Sequence, residues 1–123
     1  MEHLAGRYAI CRLEPDAMLP GLISQSRDRL LSATRTPDEL SIVCPEELAP
    51  PGATVSADWA ALRVRGTLAH DTCGVLTSFA EPLAAARIPI FALSSFDTDY
   101  LLVPAVRFHD AVAALAERGH AVR

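Results

Sequence analysis

The residues best suited to chemistry sit in one short stretch, Leu68-Ala69-His70-Asp71-Thr72-Cys73-Gly74-Val75, and in a second, Ser94-Ser95-Phe96-Asp97-Thr98-Asp99. In the first, His70 and Cys73 stand three residues apart, the spacing of a thiol with its base, or with Asp71 of three metal ligands. That reading is thin. A nucleophilic dyad needs a third group to orient the base, structural zinc needs four ligands, and Cys44, His109 and His120 form no matching paired motif. No catalytic residue, metal ligand or cofactor site is therefore assigned.

A binding role suits the stretch better. It leads into a predicted helix, whose first amides lack internal partners and whose dipole favours an anion such as a carboxylate. Gly74 permits close approach because it has no side chain, and Asp71 or Thr72 serves either as a helix cap or as a contact to the bound group. In the second stretch, Ser94 and Ser95 end a strand, where their hydroxyls either satisfy the turn or reach a ligand. Asp97 and Asp99 are equally at home as turn residues bonding local amides or as acceptors for an ammonium.

These residues need elements to hold them. Tyr8–Leu13 reads as a strand stopped by Pro15-Asp16, and the Met18–Ile23 stretch is too broken by Pro20-Gly21 for a long helix. Leu30–Thr34 and Leu40–Cys44 flank Arg35-Thr36-Pro37-Asp38-Glu39, whose Pro presets a turn, so two strands should pair there. Pro50-Pro51-Gly52 is the sharpest break in composition, which places a linker near residues 50–58 and divides the chain into 1–57 and 58–123.

Beyond the break, Leu62 and Val64 alternate with Arg63 and Arg65 in a half-buried strand. Leu76, Phe79, Ala80 and Leu83 recur at helical spacing from Gly74 to about Ala86, with Pro82 free to bend that helix without ending it. Ile88–Ser94 is apolar on both faces, as in a covered central strand, and Asp99–Val103 is a further strand. A second helix carries Phe108, Ala111, Val112 and Leu115 on one face, Gly119 ends it, and His120–Val122 is expected as a brief last strand. This order of strand, helix, strand, strand, helix, strand predicts an α+β fold with an antiparallel sheet, the ferredoxin-like βαββαβ unit. The first half carries strands with little helix and reads as a degenerate copy of it.

Composition removes whole classes of function. The 123 residues carry fifteen acids against eleven bases, a net charge of −4, with no block of like charge to track a phosphate backbone, so nucleic acid is not an expected partner. All eleven bases are Arg, and coding bias accounts for that as well as any anion-binding role does. Apolar runs fall far short of the roughly 20 residues of a membrane span, and the first residues lack the pattern of a signal peptide, so a cytoplasmic location is expected. Cys11, Cys44 and Cys73 are odd in number and widely spaced, with two inside apolar strands, which predicts buried thiols and no disulfide framework. His3 is expected in a mobile terminus, and His109 and His120 on a solvated surface.

The stretches Ser32-Ala33-Thr34-Arg35-Thr36-Pro37-Asp38-Glu39-Leu40-Ser41-Ile42-Val43-Cys44-Pro45 and Ser94–Val103, with Thr72-Cys73-Gly74-Val75, resemble the ACT-domain proteins related to the CASTOR arginine sensors. The resemblance spans nearly the whole chain. It implies two tandem ACT-like units, an amino acid held between them by the loop entering the first helix, and a homodimer as a plausible assembly. On that basis Asp71, Thr72, Cys73, Gly74, Val75, Ser94, Ser95, Phe96, Asp97 and Asp99 are the expected ligand contacts, in a regulatory protein without catalysis. The alternative is a protein–protein docking module that binds no small molecule, using a sheet edge or helix face.

Overall fold

The structure is a computed structural model, and it describes residues 1–19, 21, 25, 27–65 and 73–123. The chain falls into two units, one of residues Gly6–Asp58 and one of Met1–Ala5 with Trp59–Arg123. Two long strands contribute to both: β1 (Glu2–Leu13) and β4 (Thr54–Arg63). Each carries a left-handed residue where the division falls, Gly6 at φ +82° and Asp58 at φ +63°. Gly and Asp are among the residues that tolerate that region, and a left-handed residue is how a strand accommodates a bulge.

In the first unit, β2 (Ser32–Arg35), β3 (Leu40–Pro45) and β1 lie side by side in that order, all antiparallel. The register matches Thr34 with Ser41 and Cys11 with Ile42. Thr36 closes the β2–β3 turn, its Oγ1 accepting from the amides of Asp38 (3.1 Å) and Glu39 (3.2 Å) while its own amide donates to the Glu39 carbonyl. The Arg35 guanidinium donates to the carbonyls of Pro15 and Ala17, pinning the segment that follows β1. The core of this unit is Ala9, Cys11, Leu40, Ile42 and Cys44, against which Leu13, Leu31 and Leu48 pack.

In the second unit the sheet order is β4, β6 (Asp99–Pro104), β5 (Phe91–Ser94), again antiparallel. Two helices complete it, α1 (Val75–Ala85) and α2 (Phe108–Ala116). The side chains of Phe79 and Leu83 from α1, and of Ala111 and Leu115 from α2, meet Leu62, Val64, Leu101 and Val103 from the sheet. Burying a side chain of this size contributes about 1.5–3 kcal/mol, so this apolar cluster dominates the unit's stability.

The α+β, antiparallel, ferredoxin-like expectation is met, and four details differ. β4 begins at Thr54, inside the 50–58 stretch where composition suggested a linker. The covered central strand of this sheet is β6, with Leu101, Leu102 and Val103 fully buried, whereas β5 is at the end of the order. The apolar residues just before β5 have another use: Ile88 is buried in the core and Ile90 packs against it from the connection. No strand forms at His120–Val122, yet the backbone there is bonded, because the Met1 amine donates to the Ala121 carbonyl (2.7 Å) and Arg123 exchanges bonds with Met1 and His3. His3 is correspondingly held in β1, its ring 4.2 Å from that of Phe108, and is not in a loose terminus.

Candidate functional site

Gly74 starts α1 from the left-handed region at φ +80°, where a β-carbon would be strained although it would meet none of the described residues within 4 Å. Its carbonyl accepts the first helical bond, from the Ser78 amide at 3.0 Å, and it has no side chain with which to cap the turn. The amides of Val75, Leu76 and Thr77 thus have no acceptor within the helix, the arrangement that suits an anion. Cys73 is exposed, and Val75 is half-buried against the core. Asp71 and Thr72, the expected caps or contacts, lie outside the described residues.

The second stretch forms one tight turn between β5 and β6, and its polar groups are largely committed to each other. The Ser94 hydroxyl donates to Asp99 Oδ1 at 2.5 Å, across the last paired rung of the hairpin. Ser95 donates its amide and its hydroxyl to the Thr98 carbonyl (2.8 and 3.2 Å), and its Oγ accepts from the Thr98 amide. Asp97 is exposed and hydrogen-bonds to none of the described residues, and Phe96 is 80% exposed. Of the expected contacts, then, Ser94, Ser95, Phe96, Asp97 and Asp99 are brought together on one turn, and Cys73, Gly74 and Val75 at the head of one helix.

Thr98 is a residue that sequence reasoning passed over. It is 7% exposed, and its hydroxyl donates to the Val64 carbonyl at 2.8 Å while the Val64 amide donates to the Asp99 carbonyl at 3.0 Å. The turn is therefore fastened to the end of β4. No periodicity announces such a residue, because a buried hydroxyl is indistinguishable in sequence from the exposed one that an Asp-Thr-Asp turn suggests.

His120 corrects a second expectation. It is half-buried, its ring 4.5 Å from that of Phe79, and its Nε2 is 3.1 Å from the Ser78 carbonyl. The cause is Pro82: in a helix the amide four residues on would bond that carbonyl, and proline has none. His120 supplies the missing donor, which places the proton on Nε2 in the neutral ring.

Beside His120 opens a cleft of about 390 Å³, lined among others by Val64, Arg65, Phe79 and Arg123. Among the described residues no cluster of three or more His, Cys, Asp or Glu could hold a metal. No helix among them is long and apolar enough to cross a membrane.

Comparison with known proteins adds the family. The family model described as an ACT domain matches residues 54–117, and another, described as an N-terminal domain, matches residues 6–51. The chain is 36% identical over 61 residues to the cytosolic arginine sensor for mTORC1 subunit 1 of Homo sapiens, and to that of Bos taurus. That match covers 49% of this chain and only 18% of each sensor's length. A crystal structure of a protein from Agobacterium tumefaciens superposes with a TM-score of 0.89 at 34% identity, covering 99% of this chain and 90% of that one. The ligand-free regulatory subunit of aspartate kinase from Thermus thermophilus superposes at 0.62 with 15% identity over 97% and 94% of the two chains, a likeness of fold alone. This chain belongs to the ACT-domain family.

Proposed function

We propose that this ACT-domain protein is a cytoplasmic, non-catalytic regulator that binds an amino acid, with its ligand contacts at the head of α1 and on the β5–β6 turn. The observation that carries the reading is the start of α1. Gly74 brings no side chain of its own to cap the first amides of α1, which suits a carboxylate, and Asp97 hydrogen-bonds to none of the described residues, which suits an ammonium. Relatives named as an arginine sensor and as a regulatory subunit of aspartate kinase support a regulatory role of this kind. The division into ACT-like halves at 1–57 and 58–123, and assembly as a homodimer, belong to the same proposal.

Gly74→Asn tests the placement. Asn tolerates the left-handed region better than most residues, and among the described residues a β-carbon here meets nothing within 4 Å, so the variant should fold at a modest cost in stability. Isothermal titration with the amino acid that stabilises the wild-type protein should then show affinity reduced by about tenfold or more, about 1.4 kcal/mol. Unchanged affinity in a folded Gly74→Asn protein excludes the head of α1 as the site.

A further inference from the structure

Among the described residues, the cleft beside His120 shares no lining residue with the turn or the head of α1, and its chemistry is different. Its described lining holds the apolar side chains of Met1, Val64, Phe79 and Ala121, of which Phe79 and Val64 are 9% and 6% exposed, beside the polar ones of Arg65, His120 and Arg123. Among the described residues no Asp or Glu side chain lines it. Arg7, Arg29, Arg63 and Arg107 each pair with a carboxylate, at 2.6–3.3 Å. Arg65 and Arg123, both exposed, are in no ion pair among the described residues. In a chain of net charge −4, two guanidiniums unpaired among the described residues, at a cleft where no described lining residue is acidic, form a cationic spot beside the Phe79 ring.

We propose that this cleft is a binding site for a small monocarboxylate bearing an aromatic or branched apolar group. The planar fork of Arg65 matches a carboxylate with two parallel bonds, and Phe79 offers a ring against which the apolar group packs. His120 is fixed in place, with one nitrogen on the Ser78 carbonyl and its ring against Phe79, so this wall is preorganised. At the ~30 Å³ that a water molecule occupies in the liquid, 390 Å³ accommodates about a dozen non-hydrogen atoms. An α-ammonium finds no acidic side chain among the described lining residues, so these residues favour an acid lacking that group over an amino acid. The proposal stands independently of the amino-acid reading of the α1 site.

Phenylacetate, with its neutral isostere phenylacetamide as control, is the probe. In an NMR titration of the full chain up to about ten millimolar, phenylacetate should move the ring resonances of His120 and Phe79, and phenylacetamide should not. Arg65→Gln and Arg123→Gln alter exposed side chains and should fold; Arg65→Gln should weaken phenylacetate at least tenfold and leave amino-acid binding at the α1 head unchanged. Absence of any phenylacetate-induced shift at His120 overturns the proposal, as does equal binding of the amide or unchanged affinity in a folded Arg65→Gln protein. Loss of amino-acid binding in Gly74→Asn with phenylacetate binding intact would separate the two sites.

Discussion

The three thiols divide by environment. Cys11 and Cys44 are about 1% and 0% exposed, and their thiols meet on the inner face of β1 and β3. Burial first, and then the neighbouring thiol, pushes Cys44 up to about 12 from an ordinary value of 9.0; burial raises Cys11 as well, against the bond it makes with Cys44. Folding therefore keeps a proton that the unfolded chain releases above pH 9. The stability so contributed is complete below pH 9 and declines as pH rises towards 12, by up to about 1.4 kcal/mol for each pH unit. Urea unfolding at pH 9, 10 and 11 should show that decline, and Cys44→Ala should flatten it; an equally steep decline in the variant assigns it elsewhere. At neutral pH a thiol reagent should modify the exposed Cys73 promptly and leave the other two untouched until the protein unfolds. Three thiols reacting at one rate would contradict the buried pair.

At the scale of elements, α1 shows how a helix tolerates an internal proline. The Ser78 carbonyl that Pro82 leaves without a helical donor is taken by His120, 42 residues away in sequence. Removing one partner of a buried bond costs about 1–3 kcal/mol; this bond is exposed, so losing it together with the ring's packing on Phe79 should cost about 1 kcal/mol in His120→Ala. In a Pro82→Ala background the helix supplies its own amide, and the cost of His120→Ala should fall by at least half. Equal costs in the two backgrounds, read from denaturant midpoints, would show that His120 acts through its packing on Phe79 and not through the carbonyl. This pairing also marks what sequence can and cannot show. The spacing of Phe79 and Leu83 makes the helix and its buried face readable, although Leu76 of the same series is 39% exposed, and the Pro37 turn makes the β2–β3 hairpin readable, because both signals are local. A proline inside the helix is equally visible, but its substitute donor comes from beyond α2 and leaves no local trace. Ile88 and Ile90 misled for a related reason, since apolar residues in a connection serve the core as well as those in a central strand do. In the site, the grouping of Ser94 to Asp99 on one turn was readable, whereas the commitment of Ser94, Ser95 and Asp99 to bonds within it depends on atomic distances.

At the scale of the molecule, each unit has its own apolar cluster, and the larger lies beneath α1 and α2. Leu83 is fully buried there, so Leu83→Ala should cost about 2–5 kcal/mol in urea unfolding, while a cost under about 1 kcal/mol would mean the cluster is not packed as described. The central claim is that this fold holds an amino acid, and the direct measurement is thermal unfolding of the purified chain against each of the twenty amino acids at about a millimolar. A ligand at a thousand times its dissociation constant adds about 4 kcal/mol, several degrees for a chain of this size. The account predicts that one amino acid, or one chemically related group, raises the midpoint while the others do not. A midpoint that none of the twenty moves, and that changes only with protein concentration, would contradict it and point instead to a protein-docking module.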